Sequence, residues 1–353
     1  MNPKFYNTNK SKIIIGISIF LIAQIFSSCK SDKPDEKAEN PIVTTSRSVY
    51  ICNEGNFQFG NASVSYYNPT QNQCTEDLYK ANNNRSLGDV CQSMCIYNGK
   101  AYIVVNNSHK IEVVNLTTFQ WIATINGFNS PRYFLPINNS KAYVTDIYDN
   151  RIAIIDLNTN IISNYISCIG WTEELKMIMG KVFVTNQSSD KLFVINPLND
   201  QISDSIPISF GGNSVVEDKH GNLWVLCGGN SNATGGLYQI DPITNGIEKS
   251  FHFASSAINP WRLKINSTND TLYWINNGVY RMSIEDISLP TNSFIAQTGV
   301  NYYGLGIDPE TNEIYVSDAI DYVQKGVVYR YKSNGTLLTT FRAGIIPGEF
   351  YFR

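Results

Sequence analysis

The chain has 353 residues, a formal net charge of −3 and only 16% charged residues, against about a quarter in typical soluble domains. Aromatics make up 12% and many of the loops are rich in Asn, a composition that fits a β-rich protein with polar hairpins. No basic stripe occurs, which argues against nucleic acid as a partner.

Lys4, Lys10 and Lys12 precede the apolar run from Ile13 to Phe26. That run is 14 residues long, shorter than the roughly 18 or more a membrane-spanning helix needs, so residues 1–28 read as a secretory signal. It ends in "FSSC", which resembles a bacterial lipobox. The resemblance implies that Cys29 is lipidated and becomes the mature N-terminus. Residues 29–46 then form a polar, charged tether with too little apolar surface to fold, and residues 47–353 the folded unit. The acidic "SDKPDE" just after the cysteine resembles surface-export signals of some Gram-negative lipoproteins. The expected location is the outer membrane, held by the lipid alone and exposed at the cell surface.

From Val49 onward the chain repeats itself. "KAYIVVNNSHKIEVVNLTT", "KAYVTDIYDNRIAIIDLNT" and "KVFVTNQSSDKLFVINPLN" are each an apolar run, a polar hairpin, a second apolar run and a turn. Weaker copies bring the total to seven. One aromatic marks the same place in each: Tyr50, Tyr102, Tyr143, Phe183, Trp224, Tyr273 and Tyr315, spaced by 52, 41, 40, 41, 49 and 42 residues. Units of roughly 40–45 residues with four short strands are the signature of a β-propeller. The predicted fold is all-β, with seven four-stranded blades whose strands are designated a to d from the channel outward. The first unit starts directly on strand b and lacks its own strand a. The apolar C-terminal "GEFYF" falls where an eighth strand a would lie. The C-terminal strand is therefore expected to join blade 1 and close the ring, leaving no open edge there.

Loops divide between two faces. The a–b and c–d turns, such as "NG" at Asn98 and "DPETN" at Asp308, are short and conventional. The b–c and d–a connections are elaborated, at Asn53–Asn61, Gly228–Gly236 and Asp318–Gly326. The d–a segments carry Arg132, Tyr133, Trp171, Trp261, Arg262, Tyr302 and Tyr303. With Asn53, Asp146, Asn186, Asn276 and Asp318, these are the expected ligand-binding residues. Trp261 and Tyr302 are the expected anchors. Asn107, Gln187, Asn230 and Tyr148 fall on the same face. Aromatic, Arg and amide side chains converging on one concave mouth are what a small-molecule site needs.

Catalytic constellations are absent from the sequence: no GxSxG elbow, no HExxH, no CxxC pair. Neither a catalytic residue nor a metal ligand is assigned, and no cofactor is expected. Cys52, Cys74, Cys91, Cys95, Cys168 and Cys227 read as buried free thiols. Glu173 and Glu174 beside Trp171 leave open a calcium site of the lactonase-like kind. His109 lies on the blade 2 hairpin and reads as a solvated side chain.

"YVTD", "FVTN" and "YVSD" resemble the YVTN-type seven-bladed propellers over residues 48–353. Lipoprotein signal, acidic tether, Asn-rich blades and the "IPGEFYF" ending together resemble the surface cobalamin-binding propeller lipoproteins. That resemblance implies capture of a corrinoid, carried rather than used as a cofactor, and delivery to a TonB-dependent outer-membrane transporter. It also implies that Arg132 or Arg262 meets the ligand's phosphate and that His109 approaches the cobalt. An adhesion or scaffold propeller binding protein or glycan, and a metal-dependent lactonase-like hydrolase, are the alternatives.

Overall fold

The computed structural model describes residues 47–353. The expected signal segment 1–28, the expected tether 29–46 and the expected lipidation site Cys29 lie outside the described residues. Seven four-stranded antiparallel sheets follow one another. Blade 3 shows the plan, with strands a to d at Pro131–Asn138, Lys141–Asp146, Arg151–Asp156 and Ile161–Ser167. Each strand b carries one of the seven marker aromatics, and all seven are buried, from 0% exposure at Tyr50 to 3% at Tyr273. They fill the wedge between neighbouring sheets, which explains why strands b and c are apolar on both faces. A second repeated position closes the c–d turns of blades 1 to 5. Asn68, Asn115, Asp156, Asn196 and Asp241 each end a strand c, and each side chain accepts a hydrogen bond from a backbone N–H two residues on. Such Asx turns offer the backbone a partner where the strand ladder stops.

Blade 1 is built from both ends of the chain. Its strand a is Pro347–Phe352 and its strand b Val49–Asn53, paired antiparallel with Val49 opposite Phe352 and Cys52 opposite Glu349. Ser48 N donates to Arg353 O at 2.9 Å and Arg353 N to Ser48 O at 3.0 Å, so the two ends meet at the lower end of the blade. Ring closure by the C-terminal strand, expected from the repeat spacing, is observed. Phe350 is 6% exposed and packs with Tyr67 and Tyr315.

Every strand a carries the same irregularity near its upper end. Opposite strand b, one extra residue is inserted at Gln92, within Arg132–Tyr133, within Glu173–Glu174, at Asn213, within Arg262–Leu263, within Tyr303–Gly304 and at Gly348. A β-bulge bends the strand and re-aims side chains. Here it occurs seven times around one axis.

Candidate functional site

The bulges build the mouth of the channel. A cavity of about 560 Å³ opens there, and it draws on all seven blades through Gln92, Arg132, Glu173, Asn213, Arg262, Tyr303 and the blade 1 loop from Glu54 to Phe57. Arg262 adopts φ 62 at its bulge, a left-handed conformation that a long side chain rarely takes. Gly348 fills the seventh position. A Cβ there would come within 2.9 Å of Glu54 Oε1 and 3.4 Å of Arg262 Nη2, so a larger residue would have to displace the Glu54 carboxylate.

Charge in the channel is paired and buried. The Arg132 guanidinium forks onto the Glu173 carboxylate, its Nε donating to Oε2 at 2.8 Å. It also donates to Gln92 and lies 5.4 Å from the Trp171 ring centroid. Trp171 Nε1 donates to the same carboxylate at 2.6 Å. Arg262 donates to Glu349 and lies 3.8 Å from Glu54, while Lys264 Nζ donates to Glu349 at 3.1 Å. Tyr133 Oη donates to Glu349 at 3.2 Å, and Tyr303 Oη to Glu54 at 2.8 Å. Burial alone would push the Glu349 carboxyl up, but Arg262 and Lys264 outweigh it and hold the group below its usual range. Glu174 accepts from Val215 N at 3.0 Å but has no cation as close. Burial pushes it up to about 7, with Lys264 at 3.9 Å opposing and Glu349 adding to the rise. Burial also raises Glu54, against Arg262 and Tyr303. The belt thus sets four carboxyls, Glu54, Glu173, Glu174 and Glu349, against three cations, Arg132, Arg262 and Lys264. A second cavity of about 300 Å³ lies below it, and Tyr133 and Glu174 face both chambers.

Of the expected ligand-binding residues, Arg132, Tyr133, Trp171, Trp261, Arg262 and Tyr303 line the cavity, together with Asn107, Gln187 and Tyr148. The other six do not. Tyr302, one of the two expected anchors, is 4% exposed and points between blades, where its hydroxyl shares a 2.9 Å hydrogen bond with Tyr331. The bulge decides this, because it turns Tyr303 inward and leaves Tyr302 in the core. Asn53, Asp146, Asn186 and Asp318 end their strands b as buried clasps. Asp146 accepts from the backbone N–H of Asn129, Ser130, Tyr148 and Asp149, and Asp318 from those of Asn301 and Ile320. Asn186 donates to Ile169 O at 3.0 Å, and Asn53 accepts from Gly344 N at 3.0 Å. Asn276 takes part in a hairpin through its own N–H, which donates to Gly278 O. Asn230 likewise closes its own exposed hairpin.

Of the three long b–c connections, that of blade 1 lines the cavity, whereas those of blades 5 and 7 contribute no lining residue. His109 binds the Asn129 carbonyl through Nδ1, away from the lining. Both mouth arginines pair with carboxylates, Arg132 with Glu173 and Arg262 with Glu349. Sequence reasoning missed Phe57, Glu54, Gln92 and Asn213. Among the described residues, no three His, Cys, Asp or Glu side chains are grouped so as to hold a metal.

The family described as a domain of unknown function, DUF5074, matches residues 47–351, which is the whole ring of blades up to the closing strand. The chain belongs to the DUF5074 family. Solved structures share the fold of this DUF5074 chain at low identity. A quinonprotein alcohol dehydrogenase-like protein from Bacteroides thetaiotaomicron superposes with a TM-score of 0.69 at 17% identity, over 87% of this chain and 78% of that one. A putative 6-phosphogluconolactonase from Bacteroides fragilis gives 0.67 at 12%, over 89% and 99%. The periplasmic gluconolactonase of Pseudomonas aeruginosa gives 0.66 at 10%, over 87% and 98%. No curated protein matches the sequence.

Proposed function

We propose that this DUF5074 protein is a lipid-anchored outer-membrane propeller that captures a bulky, nearly neutral ligand in its upper mouth, with a corrinoid such as cobalamin as the leading candidate. It would pass that ligand to a TonB-dependent transporter. The observation that carries the reading is the seven-bulge ring around the cavity. Trp171, Trp261, Tyr148, Tyr303 and Phe57 offer flat apolar faces there, and Gln92, Asn107, Gln187 and Asn213 offer neutral hydrogen-bond groups. That mixture suits a large ligand fringed with amides. Each mouth arginine is paired with a carboxylate, Arg132 with Glu173 and Arg262 with Glu349, which favours a ligand of little net charge. These pairs also weigh against the metal-dependent hydrolase reading, because a hard cation needs a cage of oxygens and the channel glutamates are interleaved with cations. Glycan or protein binding on the same face remains the second reading. It draws on Phe57, 62% exposed, and Phe59, 76% exposed, beside the mouth.

Calorimetry with cobalamin tests the ligand. Truncating an aromatic anchor typically costs about 2 kcal/mol or more, roughly thirtyfold in affinity. Trp261→Ala should therefore weaken binding; because the indole also packs against the blade 6–7 cluster and donates to Tyr303 O at 3.0 Å, affinity is compared at a temperature where circular dichroism shows the variant folded. Asn98→Ala and Ser333→Ala, on the opposite face, should leave affinity alone. Absence of binding at high micromolar cobalamin would remove that ligand. The anchor is tested separately: Cys29→Ala should release the protein from membranes, and a mutant that stays membrane-bound refutes it.

A further inference from the structure

Two thiols meet at the blade where the ring closes. Cys52 lies in strand b of blade 1 and Cys91 opens strand a of blade 2, Cys91–Tyr97. Those two strands pack against each other, and the Cys52 and Cys91 thiols lie near enough to interact, both fully buried in the apolar cluster between the two blades. The other four cysteines of the ring are scattered. Cys74, Cys95, Cys168 and Cys227 each pack in or against a different cluster.

We propose that Cys52 and Cys91 form a disulfide under oxidising conditions, which staples blade 1 to its neighbour. Blade 1 is held together by the pairing of the two chain ends, so it is where the ring can open. Its strand b is attached on one side to the C-terminal strand. A covalent bond from that same strand b to blade 2 would keep the N-terminal half of the blade in place when the C-terminal strand loosens. The chemistry is thiol–disulfide exchange with a small disulfide such as glutathione disulfide. One cysteine thiolate attacks a glutathione sulfur and releases the first glutathione thiol. The second cysteine then attacks the mixed disulfide and releases the other. The products are one protein disulfide and two glutathione thiols, which take up the two cysteine protons.

Timing follows from burial. In the closed ring burial pushes the Cys52 thiol well above its ordinary range, so it stays protonated and unreactive. Exchange therefore belongs to the folding chain or to a transiently opened blade 1, and closure then shields the bond from reductants. The bond would close the loop from residue 52 to residue 91 and so constrain the unfolded chain. An oxidising compartment for this protein rests on the export reading, but formation of the bond does not.

The test uses the full-length chain carrying Cys29→Ala, so that no thiol lies outside the ring. It is refolded from denaturant either in a mixture of reduced and oxidised glutathione or in dithiothreitol. In the glutathione mixture the six free thiols should fall by two, the mass by two hydrogens, and a digest should yield one linked peptide pair containing Cys52 and Cys91. The oxidised protein should melt several degrees higher. Cys91→Ala should abolish the linked pair and leave every other thiol free. Retention of all six thiols, or a linked pair made by other cysteines, overturns the bond; an oxidised form that melts no higher overturns the stapling role.

Discussion

Deleting residues 348–353 should open the ring. Phe350 is 6% exposed, and Tyr351 and Phe352 are half-buried. A fully buried aromatic covers about 150–250 Å², so the three together bury roughly 350 Å². At about 25 cal/mol per Å² that is about 9 kcal/mol of apolar burial lost, before counting the faces of Tyr315 and Tyr67 that would be uncovered. Glu349 goes with them, leaving Arg262 and Lys264 buried beside an empty place. Strand b of blade 1 also loses its ladder partner and presents unpaired backbone groups. The sum is comparable with the whole net stability of a typical folded protein, about 5–15 kcal/mol. The assay is thermal and urea denaturation followed by near-UV circular dichroism, with dye binding to report exposed apolar surface. The truncated chain should be unfolded or loosely packed at room temperature and should aggregate on warming. A truncated chain that melts within a few degrees of the full-length protein would show that closure does not hold the ring.

Two further predictions concern the channel. Glu174 is lifted from 4.5 to about 7, so the folded state holds its proton more tightly than the unfolded state. Its contribution is favourable below about pH 4.5 and is lost as pH rises through about 7, up to about 3 kcal/mol in all. Glu174→Gln should therefore match the parent protein near pH 4.5 and exceed its urea stability at pH 8; parallel pH profiles would refute this. Glu349→Gln leaves Arg262 and Lys264 facing a neutral amide, and breaking a buried ion pair costs about 3–5 kcal/mol. Its urea midpoint at pH 7 should fall accordingly, and an unchanged midpoint would show that the network adds nothing to stability.

The repeat made the architecture legible. Seven marker aromatics at near-constant spacing sufficed, because each must fill the same wedge between sheets, and the missing first strand pointed to the last. The site was half legible. Arg132, Trp171, Trp261 and Tyr303 stand out because large side chains on d–a segments have few places to go. The failures share one cause. Asn53, Asp146, Asn186 and Asp318 are the right residue types at the right end of strand b, yet they clasp the loop backbone and do not line the cavity. A polar side chain that ends a strand serves either purpose, and the sequence does not separate them. Tyr302 and Tyr303 show the limit in another form. Regular alternation assigns one of them inward, but the bulge that makes the choice is a backbone event with no residue of its own.

Glu349 reaches Arg262 from the strand that completes blade 1, and this fixes when in the life of the chain the mouth comes into being. Synthesis runs from the N-terminus, so six blades and most of the seventh are available before the acid that holds Arg262 arrives. Until then Arg262 has the Tyr133 hydroxyl at 3.2 Å and the Glu54 carboxylate at 3.8 Å, and Tyr133 and Lys264 lack their shared partner. A nascent chain thus lacks the finished mouth, however much of the propeller has formed. Strand a of blade 1 runs from Pro347 at the mouth to Phe352 at the opposite face, so the last residue to emerge lies far from the cavity that its strand completes.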